Sequence, residues 1–436
     1  MLKTQLCILM ALAPATLISS SLYANEQSET KGFIADAEGS VLFRTGYLSR
    51  DKKGGNADTR SVGQSAIFDL NSGFTQGPVG IAVGAVGDGT VKLGENKHAG
   101  NQMLAKDGNG DAYDHFARGG ANVKLRVSNT TVTYGTQLMD LPVLASNTVR
   151  LVPEYFTGVL AQSNEIDKLE LTAGKFTKNQ MSDQISTDGN HLDRAVVWGA
   201  KYNFTDKLNA SYYGIDVKDK LERHFTNVNY SKALPNDANL TLDFSGYHTD
   251  WEEDAITDSH ATTDMSNRQN SIWAVSANYS KDVHSILLAY QDNAGNTGYD
   301  YAYNADGFQS IYLPNSYLSD FIGNDEKSLQ LQYVYNFKNH GVPGLTWVSA
   351  FVYGWDIDVS ERSNPAQVVD QAEEHEFFNQ VKYTVQTGPL KDASFRLRHS
   401  YLRMSDTYNN YNKYNSNGIG STNEWRMWLD IPVKLF

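Results

Sequence analysis

The side chains in this sequence that could do chemistry are cations at alternating positions. Arg396 and Arg398 stand two apart, with Phe395 and Leu397 on the opposite parity. Arg44 and Arg50 share a parity against Val41, Phe43 and Tyr47. Arg426 stands against Met427 and Leu429, and Lys382 against Val381, Tyr383 and Val385. Alternate side chains of an extended chain leave by opposite faces, so each cation projects from the polar face of its segment. The chemistry open to them is recognition. A guanidinium binds a carboxylate through two parallel N–H donors, which the point charge of lysine does not reproduce. Reaction chemistry is poorly supplied. Neither H-E-x-x-H nor G-x-S-x-G occurs, so two local hydrolase signatures are missing. DGNGDAYD, from Asp107, opens like a calcium loop, but Ala112 stands at the sixth position and Arg118 at the twelfth. Glycine and a bidentate glutamate belong there, so the stretch reads as a turn. No cofactor and no metal are expected.

The elements that carry these cations are strands. Val196, Trp198, Ala200, Tyr202 and Phe204 alternate with Gly199, Lys201 and Asn203, and Leu329, Leu331, Tyr333 and Tyr335 alternate with Gln330 and Gln332. Helical spacing is nearly absent. One face is apolar and often aromatic and the other polar, which fits a membrane barrel with a wet lumen and fits equally a soluble β-sandwich with its apolar face inward. Loop lengths separate the two. Short connections (Thr205 to Lys207, Pro235 to Ala238, Pro389 to Asp392) alternate with long ones (Asp88 to Asp114, Asn179 to Asp193, Asp292 to Asp325). That alternation marks an outer-membrane barrel. The segments amount to about eighteen strands, an even number that leaves an aqueous bore. The first lies near 33–50 and the last near 423–436. Closure makes the first and last strands neighbours, so Arg44, Arg50, Lys382, Arg396, Arg398 and Arg426 fall on four consecutive strands and form one basic wall. The plainer alternative is that they are solvated channel residues without a substrate role.

Met1 to Ala24 has Lys3, an apolar run from Leu6 to Ile18 and small residues up to Ala24. It reads as a cleaved signal peptide, leaving residues 25–436 as one barrel domain. The only cysteine, Cys7, lies within it, so no disulfide is expected in the mature chain. A net charge of −13 argues against nucleic acid as a partner. Leu138 to Gly158 is unusual: two prolines, no alternation, apolar content that includes Leu141, Val143, Leu144, Val149, Leu151 and Val152, and one isolated Arg150 between two alternating segments. An apolar loop of that length folds back onto something. The expectation is that Met139 to Tyr155 enters the bore and narrows it. The last stretch, EWRMWLDIPVKLF, alternates to an aromatic end like the assembly signal of outer-membrane barrels, although Phe436 falls on the polar parity.

At this point KGFIADAEGSVLFRTGYLSRD, NSGFTQGPVGIAVGAVG, PVLASNTVRLVPEYFTG, SIYLPNSYLSDF with HGVPGLTW, and GPLKDASFRLRHSYLR before EWRMWLDIPVKLF resemble the OprD family of substrate-specific outer-membrane porins. They run in order over nearly the whole chain. The resemblance implies an all-β transmembrane antiparallel barrel of about 18 strands whose third and seventh loops, here Met139–Tyr155 and Asn293–Asp325, fold inward as a constriction. It places Arg150, Ser316 and Asp320 there, with Tyr299 and Tyr301 as further candidates. A carboxylate on a solute would track the arginines while a cationic or hydroxyl end faced Asp320. The plainer role for Asp320 is a loop-capping carboxylate. The family has also been classed as a serine peptidase. The matching positions would be Lys175, Asp219 and Ser310. Lysine cannot take the part of histidine there unchanged, so no peptidase activity is expected. The implied function is passive uptake of small nutrients bearing carboxylates, with carbapenem-type antibiotics entering by the same route. The implied partners are outer-membrane lipid and lipopolysaccharide, small solutes, and the barrel-assembly machinery through the last strand, with a monomer or loose trimer as the assembly. A barrel enzyme and a soluble glycan-binding sheet protein are the alternatives.

Overall fold

A computed structural model describes residues 25–94, 101–186, 192–255, 268–295, 298–301, 311–359, 372–411 and 419–436. The leader segment and Ser310 lie outside them. The strands are β1 (Glu38–Lys52), β2 (Thr59–Asn71), β3 (Gly80–Lys92), β4 (His115–Val127), β5 (Thr130–Gln137), β6 (Asp140–Leu141), β7 (Leu144–Ala145), β8 (Tyr155–Ile166), β9 (Leu169–Gln180) and β10 (Ala195–Thr205). They continue as β11 (Leu208–Val217), β12 (Leu221–Leu234), β13 (Ala238–Trp251), β14 (Gln269–Lys281), β15 (His284–Gly295), β16 (Lys327–Asn336), β17 (Leu345–Ile357), β18 (Ala372–Thr384), β19 (Ser394–Met404) and β20 (Thr422–Lys434). All except β6 and β7 join one 18-stranded sheet. Neighbours are antiparallel, and β1 pairs with β20 from Ser40↔Lys434 to Lys52↔Thr422, which closes the barrel. β6 and β7 form a small hairpin inside the third long loop.

Each strand follows from its two-residue period. In β20, Trp425, Met427 and Leu429 are exposed on the outside while Glu424, Arg426 and Trp428 are buried toward the lumen. The side with short turns carries an aromatic girdle. There Tyr333 stacks edge-on against Trp347 at 6.0 Å and Tyr335 against Phe337 at 4.8 Å. At the other end Tyr353 stacks on Trp355 at 5.8 Å, with Tyr290 beside it. Such belts hold the amphipathic rings at the two membrane–water boundaries. The turns are built by residues that tolerate φ > 0. Asn236 and Asp237 adopt φ of 59° and 57° in the turn between β12 and β13, the geometry that matches strand twist in a tight hairpin.

Two ends differ from the sequence expectation. β1 begins at Glu38 rather than near residue 33. Asp36 Oδ2 accepts the N–H groups of Lys31 at 2.7 Å and Gly32 at 3.3 Å, which curls this stretch into a turn. β20 stops at Lys434. Phe436 therefore lies past the strand, with its ring in the space that a side chain at Gly39 would need. Its parity follows from that.

Candidate functional site

The long loops close the bore through three joints. The first joins the third loop (138–154) to the wall at β1. Arg44 Nη1 donates to the carbonyls of Thr148 at 3.4 Å and Arg150 at 3.2 Å. Gly46 gives the room: a Cβ there would meet the Trp428 ring at 2.0 Å and Leu151 Cδ1 at 3.0 Å. The second joint ties the third loop to the seventh (296–326) over β13. Tyr247 Oη donates to the Pro142 carbonyl at 3.0 Å and accepts from the Tyr312 N–H at 3.0 Å. The Tyr312 hydroxyl donates to Asp140, which is exposed at the open end of the small hairpin. Burial and then the Asp140 charge raise the Tyr312 phenol above its ordinary range, so it remains the donor. The third joint ties the seventh loop to β18. Glu376 accepts the N–H groups of Leu318 and Ser319, each at 3.0 Å to Oε2, and the Ser319 hydroxyl donates to Glu374 at 2.8 Å. These bonds link wall, third loop and seventh loop into one ring.

The six wall cations do share one side. Register places Lys382 opposite Arg396 and Arg398 opposite Arg426. They divide into two groups. Lys382, Arg396 and Arg44 are partly exposed. Arg50, Arg398 and Arg426 are buried at 7%, 2% and 3% exposure, behind the incoming loops. The wall is also more balanced than alternation suggests. Arg44 pairs with Asp430 at 2.8 Å, and Glu424 sits between Arg50, at 2.7 Å, and Arg426, at 2.9 Å to Nη2. Asp430 and Glu424 lie on the same parity as the cations and were not counted as their partners. Arg398 lays its guanidinium over the Phe378 ring at 4.8 Å. Lys382 has no side-chain hydrogen bond or ion pair among the described residues.

The expected constriction residues separate likewise. Ser316 and Tyr301 both donate to the Asp320 carboxylate, and Asp320 and Ser316 are partly exposed. Tyr301 and Tyr299 are buried, at 1% and 4% exposure, so neither ring faces open solvent. Tyr299 lies under the Arg223 guanidinium at 4.4 Å. Arg150 is buried too. Gln102 Oε1 accepts from its Nε at 3.1 Å and Nη2 at 2.8 Å. Burial first, then Arg426 and Arg50, press its pKa well below the arginine range.

Three features escaped the sequence reading. The second loop (93–114) also turns inward: Met103, Leu104 and Ala105 are fully buried with Leu151, Leu48 and Trp428. Three consecutive apolar residues in an otherwise polar loop were the available signal. Tyr247, the hinge of the second joint, was legible only as an aromatic on the polar parity of β13. Arg118 pairs with Asp88 at 2.8 Å with both side chains fully buried, and it donates to Pro153 O at 2.6 Å and to Met181 O. It holds the base of the third loop.

A closed antiparallel barrel with apolar girdled walls, a charged lumen and inward loops is an outer-membrane porin, a channel for small solutes. The match to known proteins narrows this. The profile described as "outer membrane porin, OprD family" covers residues 31–435, and the chain belongs to that family. Porin D of Pseudomonas aeruginosa is 34% identical over 95% of this chain and 94% of its own length. The porin-like protein GalP of Pseudomonas putida is 28% identical over 90% of this chain and 92% of its own. Among solved structures, Acinetobacter baumannii OccAB1 is 61% identical with a TM-score of 0.89, covering 95% of this chain and all of that one. Pseudomonas aeruginosa OprD is 32% identical with a TM-score of 0.75, covering 96% and all of that chain. The family and the fold are those of channels in the outer membrane, not of enzymes.

Proposed function

We propose that the channel favours small solutes bearing a carboxylate, amino acids and small organic acids among them, and that carbapenem-type antibiotics use the same path. The observation that carries this is the pairing of like charges. Lys382 sits directly opposite Arg396, and Arg398 opposite Arg426. Like charges facing each other across neighbouring strands are destabilising; Glu424 already offsets Arg426, so the unfavourable arrangement that an entering anion relieves lies chiefly between Lys382 and Arg396. Lys382, Arg396 and Arg44 form the step that solutes meet; the buried Arg50, Arg150, Arg398 and Arg426 supply field from behind it. Asp320, oriented by Tyr301 and Ser316, receives the cationic or hydroxyl end, and Tyr299 with Arg223 fixes the loop that carries it. Binding this shallow suits a pore, which must release what it holds. Residues 1–24 act as the cleaved leader of a single barrel domain, the last strand is what the assembly machinery engages, and the channel works as a monomer or loose trimer.

The test is solute swelling of liposomes carrying the wild type or the Lys382→Ala, Arg396→Ala double variant. Carboxylate solutes should slow more than neutral ones of equal size, and lysine at position 396 should restore part of the loss. Equal slowing would mean that these cations only shape the bore.

A further inference from the structure

The barrel's outward rim on the loop side is not uniform. On several strands it carries carboxylates, such as Glu222, Asp250, Asp292 and Glu373, and on β16 a lysine, Lys327, paired with Asp356. Over the closing seam, from β19 through β20 and β1 to β2, two arginines join it, on β19 and β2, on either side of the exposed Asp51 of β1. Arg403 lies on the outward parity of β19, its guanidinium 3.6 Å from the Tyr401 ring. It donates to Leu402 O at 2.7 Å, Thr422 O at 3.4 Å and Asn423 Oδ1 at 2.8 Å. No bond from its Nε is found among the described residues. Arg60, outward on β2, is exposed and has no hydrogen bond or ion pair among the described residues. Between them Trp425 presents an exposed ring tilted against His399 with centroids 4.3 Å apart, in the register row of Ser49 and Arg60.

We propose that this outward seam face, Arg403 and Arg60 flanking Trp425, binds the bisphosphorylated disaccharide of lipid A. Three facts favour that occupant. The face points away from the lumen, so solutes in transit do not reach it. It sits at the loop end of the wall, level with the outer-leaflet headgroups. Its two arginines are three strands apart, about 14 Å across the sheet, and Arg403 lies four residues, about 13 Å, further along the strand direction than Arg60's row, so one phosphate cannot serve both while a headgroup with a phosphate at each end, met by two long side chains, can. Arginine is the side chain suited to phosphate by its planar donor fork, and the indole and phenol rings suit the boundary between sugar and acyl chains. Asp51, bonded by Asn423 Nδ2 at 3.1 Å and by Lys53, lies in the same patch and opposes the anion.

The experiment uses the folded barrel in detergent, titrated with bisphosphorylated lipid A, monophosphorylated lipid A and phosphatidylglycerol, with bound lipid counted by native mass spectrometry. Wild type should retain bisphosphorylated lipid A best. Arg60→Ala with Arg403→Ala should weaken it about tenfold or more, the scale of one charged hydrogen bond, while leaving channel conductance alone. Asp51→Asn should tighten it. Retention unchanged in the double variant, or phosphatidylglycerol held as well as lipid A by wild type, overturns the proposal. If the double variant does not assemble, the Asp51→Asn comparison and the loss of one phosphate on wild type decide it by themselves.

Discussion

Tyr247→Phe isolates the joint between the two constriction loops. The ring survives, so its packing on Phe225 at 4.7 Å and Tyr299 at 5.7 Å is kept. What goes is one oxygen that serves Pro142 O and Tyr312 N together. A net hydrogen bond contributes about 1 kcal/mol, and a partner left unsatisfied in a part-buried site costs about 1–3 kcal/mol. Two partners are orphaned. Allowing for relief by water, the joint weakens by roughly 2–3 kcal/mol, which raises the population of the unseated loops about 30- to 150-fold. Tyr312 keeps its bond to Asp140, so the loops should part intermittently rather than permanently. Single-channel recordings in planar bilayers should then show brief excursions to a wider conductance level that are rare in the wild type. The reasoning is refuted if the current histogram of an assembled Tyr247→Phe barrel, verified by its heat-dependent gel mobility, matches the wild type.

Other variants probe the remaining joints. Gly46→Ala sets a methyl group into the Trp428 ring and against Leu151. An overpacking cost of about 1–3 kcal/mol should lower the temperature of the gel-mobility shift and raise conductance as the third loop lifts. Gly89→Ala, at a position with open space, is the control and should do neither. The seventh-loop joint should respond to pH through Glu326. Burial and then the neighbouring Glu374 raise the Glu326 carboxyl well above its usual 4.5, so the seated loop favours its protonated form more than the released loop does. Seating is therefore firmest below about 4.5 and weakens as pH rises through the raised value. Current noise should be lower at acidic than at alkaline pH, and Glu326→Gln should flatten that dependence; an unchanged pH response in the variant would locate the sensor elsewhere.

Most of the barrel was legible because a two-sided environment writes itself into every second residue. Parity put all six wall cations on one face, where the register makes them neighbours, and the strand count and the inward third and seventh loops agree with the structure. Parity could not say which charges meet. Asp430 sits on the visible polar face of β20, but its partnership with Arg44 depends on the register between two strands at opposite ends of the chain. The loops were harder still. Tyr299 and Arg150 were expected at the narrowest point, yet each is buried against a partner distant in sequence, Arg223 and Gln102 respectively. No local pattern marks such pairs, because loop conformation is decided by the wall on which the loop lands. The alternation-free stretch around Arg150 announced that a loop would enter, and not which of its side chains would remain open to solute.

The seam has one more consequence, in the order of events during assembly. Arg44 meets Asp430, and Arg50 meets Glu424, only after the first and last strands have joined, although 386 and 374 residues separate them along the chain. A chain stopped before β20 would hold five of the six wall cations without these two carboxylates, beside an unpaired edge. The same final pairing seals the wall and completes the charge pattern. The charge pattern of the wall therefore does not accumulate strand by strand; it is completed in a single step, and an unfinished barrel is not a poorer version of the channel but a different object.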